Sequence, residues 1–434
     1  MSRAIQSVAV IGGGTMGSGI AAATAAAGHD VLLLDINRDA AERGLVRALA
    51  TAADEAEAGR LRDRITLGTV DADLPRIAGY DWICEAIIED LAAKRALFAR
   101  IEDLRRPGSV VSTNTSGIPL RDIVTGLPET LRRDIVVTHF FNPVRVMKLL
   151  EVVPGQDTTE DVREAVATFG RDVLGKGVVT AKDTVNFIGN RIGCFWMLSG
   201  LHKAKPYLDA GLSIETLDAL LGAPVGLPST GLYGLIDLIG LDVMDFVGKN
   251  LAVNLPPDDI GRAFTRFPAA EQGLLDRGQL GRKSGGGFYR VRKQSDGGKI
   301  KEVYDLRTEQ WRPVAPAQLD PAFSDPASLL LGDGPEGRFA WDVMGGTLLY
   351  AADLLPEIAD DIVNVDRAMR WGFAWKQGPF ELLDSIGPSR VVARLKAENR
   401  PVPRLLAALE QAGAVRFYQE GQFFGLDGRY HPVA

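Results

Sequence analysis

The chain has 434 residues, long enough for two to four domains with sizeable cores. Hydrophobic residues make up 46% and charged residues 24%, a balance that excludes global disorder. The net charge of -7 excludes the basic footprint of a nucleic-acid binder, and no apolar run is long enough to span a bilayer.

The first credible strand begins at Val8, which leaves too little chain before it for a signal or transit peptide. From there to about Ala181 short apolar strands alternate with amphipathic helices: Val8 to Ile11, Val31 to Leu34, Ile65 to Val70, Trp82 to Ala86, Ser109 to Thr113, Ile135 to Thr138 and Leu149 to Val153. That rhythm predicts βαβ units and a parallel sheet over residues 1–184. Long helical stretches such as Phe187 to Tyr207 follow, giving a helical domain over 185–293. Gly286 to Val291, Lys299 to Asp305 and Trp311 to Val314 read as short strands, the last two inside a connecting segment, 294–337, whose Pro, Gly and Asp content from Pro313 to Gly337 marks a linker. A second helical domain and a tail occupy 338–434. The C-terminal Pro432-Val433-Ala434 is not a peroxisomal address, so the expected location is cytoplasmic. Cys84 and Cys194 stand far apart with no Cys/His cluster near them, so they read as small buried hydrophobes, with no metal site and no disulfide.

An internal repeat links the two helical regions. Gly231-Leu-Tyr-Gly-Leu-Ile-Asp-Leu-Ile-Gly240 aligns with Gly378-Pro-Phe-Glu-Leu-Leu-Asp-Ser-Ile-Gly387, and upstream Ile214 and Asp218 match Ile362 and Asp366 at the same spacing. Chance likeness between two helix ends is the alternative; agreement over two separated blocks favours duplication.

Gly12-Gly13-Gly14-Thr15-Met16-Gly17 satisfies GxGxxG directly after the strand Val8 to Ile11, and it opens a small-residue helix, Ser18 to Ala27. Asp35 ends the next strand at the distance that the dinucleotide fingerprint requires. Gly12 permits the tight turn, Gly14 lets backbone N–H groups approach a pyrophosphate, and Gly17 lets helix and strand pack closely. Asp35 suits a free ribose 2′-hydroxyl and repels a 2′-phosphate, favouring NAD over NADP; nearby Arg38 keeps NADP open.

Of the four histidines, His29 falls at a turn, His202 in a helical stretch and His431 in the tail. His139 ends a strand, where an open sheet delivers residues to its ligand crevice. Twelve residues later Glu151 lies in the apolar run Leu149 to Val153, where a carboxylate needs a partner. Glu151 can accept the Nδ1 proton of His139 and leave Nε2 for proton exchange with a substrate. A satisfied core histidine beside a strand-edge acid fits the local pattern equally well.

Several segments jointly resemble the 3-hydroxyacyl-CoA dehydrogenases: His139-Phe-Phe-Asn-Pro followed by Met147-Lys-Leu-Leu-Glu151, Ser112-Thr-Asn-Thr-Ser116, Asn186-Phe-Ile-Gly-Asn190-Arg191, and Gly281-Arg-Lys-Ser-Gly-Gly-Gly-Phe-Tyr289. The resemblance spans about residues 6 to 293 and continues more weakly through the repeat. It implies an α/β Rossmann-type NAD-binding domain followed by two all-α domains of that family's C-terminal type. It also implies NAD-dependent oxidation of (S)-3-hydroxyacyl-CoA to 3-oxoacyl-CoA in fatty acid β-oxidation. By the same resemblance His139 is the acid/base, Glu151 orients it, and Ser116 and Asn190 hydrogen-bond the reacting oxygen and the adjacent carbonyl. Glu89 and Lys94 match positions near the nicotinamide, with Asn142 a further candidate there, alongside Gly12, Gly14, Thr15, Met16, Gly17 and Asp35. Ser116 also fits a helix N-cap, and Lys94 alone would read as a solvated helical charge.

Family members carry Gly where this chain has Asn186, which is expected to alter the hinge between domains, and a small or apolar residue where Arg145 stands, which is expected to reach toward substrate phosphates. The second repeat has Trp341-Asp342 in place of an Asn-Arg pair and is expected to supply no catalytic group. By family comparison it is expected to pack on the first as an internal pseudo-dimer, with a homodimer the alternative. Glu357-Ile-Ala-Asp, Met369-Arg-Trp-Gly-Phe and Gly378-Pro-Phe-Glu-Leu-Leu-Asp resemble the dehydrogenase half of bacterial fusions with a hydratase; no hydratase is expected within these residues, and a hydratase or thiolase is a candidate partner. Competing readings are a dehydrogenase of non-CoA hydroxy acids and a non-catalytic scaffold.

Overall fold

The computed structural model describes residues 3–295 and 297–433. It forms two compact units: the first ends at Ile188 and takes in Glu357–Asp360, and the second holds Gly189–Pro356 and the chain from Asp361 onward.

The first unit is built on an eight-stranded sheet: β1 (Ser7–Ile11), β2 (Asp30–Asp35), β3 (Ile65–Thr69), β4 (Trp82–Glu85), β5 (Val110–Thr113), β6 (Ile135–Phe140), β7 (Leu149–Pro154) and β8 (Gly177–Thr180), in the order β3-β2-β1-β4-β5-β6-β7-β8. Val8, Val10, Leu33, Ile83, Val110 and Val136 are all buried. Such continuous apolar runs are what a sheet covered on both faces demands. The expected parallel sheet holds with one exception, since β7 runs antiparallel to β6. The connection over residues 141–148 is too short for the crossover that a parallel neighbour needs. β8, which sequence rhythm did not single out, restores the parallel direction beside β7. Segment 357–360 joins this unit: Lys182 N donates to Ile358 O at 2.9 Å, and Lys182 Nζ pairs with Asp360 at 2.6 Å.

At Asn186, where the resembled family carries Gly, φ is +61°. That left-handed conformation is the reason for Gly, and Asn is the non-Gly residue that tolerates it best.

The second unit is mainly helical. Its first helix, Gly189–Asp209, buries Arg191, whose Nε donates to Tyr350 Oη at 2.7 Å and whose guanidinium pairs with Asp259. Burial lowers the Lys203 ammonium to about 8. The three strands expected in and just before the connecting segment are present as an antiparallel sheet of β9 (Tyr289–Lys293), β10 (Lys299–Asp305) and β11 (Gln310–Pro313). Within the stretch read as a linker, Asp325 caps a short helix, Pro326–Leu330, which buries Leu329 and Leu330. A further sheet of β12 (Tyr418–Gln419), β13 (Gln422–Phe424) and β14 (Tyr430–Pro432) lies in the tail.

Two aspartates are held alike in this unit. Asp218 accepts hydrogen bonds from Tyr233 N (2.7 Å), Gly234 N (3.2 Å) and Tyr289 Oη (2.8 Å). Asp366 accepts from Phe380 N (2.8 Å), Glu381 N (3.2 Å) and Tyr418 Oη (2.7 Å). Downstream, Asp237 receives Phe288 N and Tyr289 N, and Asp384 receives Phe417 N and Tyr418 N.

Candidate functional site

The dinucleotide loop sits at the carboxyl end of β1. Gly12 has φ +107°, and a Cβ there would lie 2.4 Å from Ala86 O; a Cβ on Gly17 would lie 1.8 Å from Gly12 O. Gly14 differs, with open space where its Cβ would be, at the start of the helix Thr15–Ala26, and no side chain caps that helix. Its first N–H groups thus face an exposed, uncapped approach that fits a pyrophosphate. Thr15 is exposed there and Met16 half-buried. Asp35 ends β2 half-buried, and its Oδ2 accepts Gly13 N at 2.8 Å, so the acid also fixes the glycine loop. These features fit NAD.

Three strands along from β1, on β6, the antiparallel register sets His139 directly opposite Glu151. His139 Nδ1 lies 2.6 Å from Glu151 Oε2, and Glu151 Oε1 accepts Ile188 N at 3.1 Å. Both side chains are buried. The carboxylate therefore accepts a hydrogen bond from Nδ1–H and leaves Nε2, which has no hydrogen-bond partner among the described residues, as the nitrogen that can exchange a proton. Phe141 and Phe187 flank the imidazole at 4.5 and 5.7 Å between ring centroids.

The turn after β5 carries Ser116, which is exposed. It caps no helix, since the next one, Leu120–Val124, has Pro119 at its N-cap. Instead Glu89 Oε1 accepts Ser116 N (2.8 Å), Gly117 N (3.1 Å) and Thr115 Oγ1 (2.6 Å). Burial pushes the Glu89 carboxyl up, but Lys94 and these hydrogen bonds outweigh it and hold the group below its ordinary range. Lys94 is no solvated helical charge: it is 1% exposed, 2.7 Å from Glu85 Oε1 and 3.3 Å from Glu89 Oε2.

Asn142 is exposed just beyond β6, joined to Pro143 by a cis peptide. The loop that follows is held by buried Lys176, whose Nζ donates to Met147 O at 2.8 Å and also to Val144 O. Arg145 is committed elsewhere than a phosphate, donating to Thr51 O at 2.7 Å and pairing with Glu57 at 2.5 Å. Asn190 opens the first helix of the second unit.

Sequence reasoning missed two residues that shape this site. Asn114 accepts Phe140 N at 2.9 Å, tying the end of β5 to the residue after His139. Glu85 closes the apolar β4, and an acid in such a run was the available signal. Cys84 and Cys194 are buried free thiols, and burial pushes both up to about 12. No described group of His, Cys, Asp and Glu is arranged to hold a metal ion, and no described helix is long and apolar enough to cross a membrane.

A glycine loop closed by an acid, with an oriented histidine on the same sheet, defines an NAD-binding domain of dehydrogenase type. Models of the 3-hydroxyacyl-CoA dehydrogenase NAD binding domain and C-terminal domain match residues 7–184 and 187–291. A probable 3-hydroxyacyl-CoA dehydrogenase of Deinococcus radiodurans is 37% identical over 67% of this chain and 84% of that protein. The chain belongs to the 3-hydroxyacyl-CoA dehydrogenase family. A probable 3-hydroxyacyl-CoA dehydrogenase of Bacillus subtilis is 34% identical over 100% of this chain, which spans 58% of that relative's length. The crystal structure of 3-hydroxybutyryl-CoA dehydrogenase from Escherichia coli superposes with a TM-score of 0.70 at 26% identity, covering 91% of this chain and 94% of that one.

Proposed function

We propose that this protein is an NAD-dependent (S)-3-hydroxyacyl-CoA dehydrogenase of fatty acid β-oxidation. The observation that carries the reading is the buried His139–Glu151 pair, presented on the same sheet as the dinucleotide loop. Bound NAD supplies the hydride acceptor for C3 of the substrate. His139 Nε2 takes the hydroxyl proton as the C3–O bond becomes a carbonyl, and returns it in the reverse direction. Glu151 holds the ring in the required tautomer and stabilises the imidazolium that forms. Ser116 hydrogen-bonds the reacting oxygen, and family resemblance extends the set to Asn190 at the adjacent carbonyl. Gly12, Gly14, Thr15, Met16, Gly17 and Asp35 bind the adenosine and pyrophosphate end of the cofactor, and Glu89, Lys94 and Asn142 belong to its nicotinamide end.

An internal duplication of the helical domain is supported by the matched surroundings of Asp218 and Asp366 and of Asp237 and Asp384. Each Asp-to-Tyr clasp is closed by a Phe-Tyr pair, Phe288-Tyr289 and Phe417-Tyr418, which opens a three-stranded sheet. Such a chain fits a monomer with an internal pseudo-dimer, served by a separate hydratase or thiolase. Two buried free cysteines suit a reducing, cytoplasmic setting.

The decisive assay follows NADH absorbance with acetoacetyl-CoA and, separately, with free hydroxy acids and NAD. Turnover of the thioester is expected; turnover of free acids alone rejects the reading.

A further inference from the structure

Glu85 is wholly buried at the end of β4, with no surface for a ligand to reach. Its Oε1 receives Lys94 Nζ and Ile87 N, both at 2.7 Å, and its Oε2 receives Thr113 Oγ1 at 2.6 Å. Lys94 lies between this carboxylate and Glu89, and Glu89 in turn holds the Ser116 and Gly117 amides. A line of charges thus runs from the sheet interior to the main chain of the Ser116 turn. The two carboxylates differ in freedom. Glu89 is 22% exposed, whereas Glu85 is sealed and fixed by three donors. Glu85 therefore sets where Lys94 sits, and Lys94 sets where Glu89 sits. A buried ammonium that loses one of two carboxylates must redistribute its contacts onto the other, because its charge cannot be left unmatched in a low-dielectric interior.

We propose that Glu85 is a positioning residue for the Ser116 turn, acting through Lys94 to fix Glu89 and with it the amides that aim Ser116. Lys94 then serves the Ser116 turn through Glu89. This rests on the substrate-contacting role proposed above for Ser116.

The test uses the full chain carrying Glu85→Gln, with and without Ser116→Ala. Hydrogen exchange of the Ser116 and Gly117 amides is expected to accelerate at least about tenfold, with the amides of β1 and β2 unchanged. With acetoacetyl-CoA and NADH, kcat is expected to fall about ten- to a hundredfold. In the Ser116→Ala background Glu85→Gln is expected to lower kcat no further. Unchanged exchange at residues 116 and 117, or an equal loss of kcat with and without Ser116, overturns the proposal. Full activity of Ser116→Ala alone overturns the role of Ser116 in the functional reading, and exchange then judges the anchoring by itself. Should Glu85→Gln fail to fold, Glu85→Asp keeps the charge but cannot reach Lys94, and the same exchange measurement decides.

Discussion

His139 Nδ1 and Glu151 Oε2 lie 2.6 Å apart because the two residues are direct partners across the antiparallel pair of β6 and β7. The pairing depends on register: sliding β7 by one residue would turn Glu151 to the other face of the sheet. Ile188 N on Oε1 and the rings of Phe141 and Phe187 hold the remaining freedom of the pair.

His139→Gln is expected to lower kcat about 10²- to 10⁴-fold, the range for loss of a general acid/base, with NAD affinity nearly unchanged. Glu151→Gln, which removes the charge and leaves one accepting oxygen where the carboxylate serves both His139 Nδ1 and Ile188 N, is expected to lower kcat while leaving KM for the thioester close to its starting value. Steady-state kinetics beside fluorescence titration with NADH checks both. Unaltered turnover in His139→Gln would remove that residue from the chemistry.

The glycine loop, its acid and the His139 to Glu151 spacing were legible in the sequence because each answers a local demand. Positive φ or close packing calls for glycine, and a carboxylate in an apolar run calls for a partner. The direction of β7 was less visible, since periodicity says nothing of parallel against antiparallel; the short 141–148 connection was the available clue. Long-range partners were not legible at all. Nothing near Arg145 in sequence points to Glu57, and nothing near Ser116 points to Glu89 as the acceptor of its amide. Such pairs are 88 and 27 residues apart and meet only once the sheet has formed.

Asp35 accepts Gly13 N at 2.8 Å, and in the proposed function it also faces the ribose of a bound dinucleotide. Asp35→Ser is expected to weaken NAD binding and to narrow the preference for NAD over NADP, since the charge opposing a 2′-phosphate is gone. Arg38 stands three residues on, paired with Glu42 at 3.0 Å, and is the nearby cation that such a phosphate would have to recruit. Comparing kcat/KM for the two cofactors measures the change. A preference ratio that does not move would show discrimination to lie elsewhere.

Gly378 packs so closely on Asp366 that a Cβ would lie 2.3 Å from the Asp366 Cα; Gly231 stands in the same relation to Asp218 at 2.4 Å. Gly378→Ala is therefore expected to destabilise the second unit by about 1–3 kcal/mol, the usual range for overpacking. Urea unfolding followed by tryptophan fluorescence checks it, Trp341, Trp371 and Trp375 all lying in that unit. A midpoint within error of the parent chain would mean that the clasp relaxes without cost, and would weaken the argument for a repeated and constrained design.

The same clasps set the pH response of the second unit. Burial pushes the Asp218 carboxyl up to about 7, against the opposing hydrogen bonds from Tyr289, Tyr233 and Gly234. Burial likewise raises Asp237 and Asp384 to about 6 and Glu271 to about 7, and lifts Asp366 well above its ordinary value. In the unfolded chain these groups lose their protons near 3.8 for Asp and 4.5 for Glu. Between those values and 6 to 7 the folded unit binds more protons than the unfolded chain, so its stability falls as pH rises through that window. Glu89 in the first unit is displaced the other way, so its contribution is lost as pH falls. Differential scanning calorimetry at pH 5 and pH 8 should thus find the second unit melting higher at the lower pH, with Asp218→Asn reducing the difference. A transition that rises with pH would mean that the backbone and tyrosine donors keep these carboxylates ionised despite their burial.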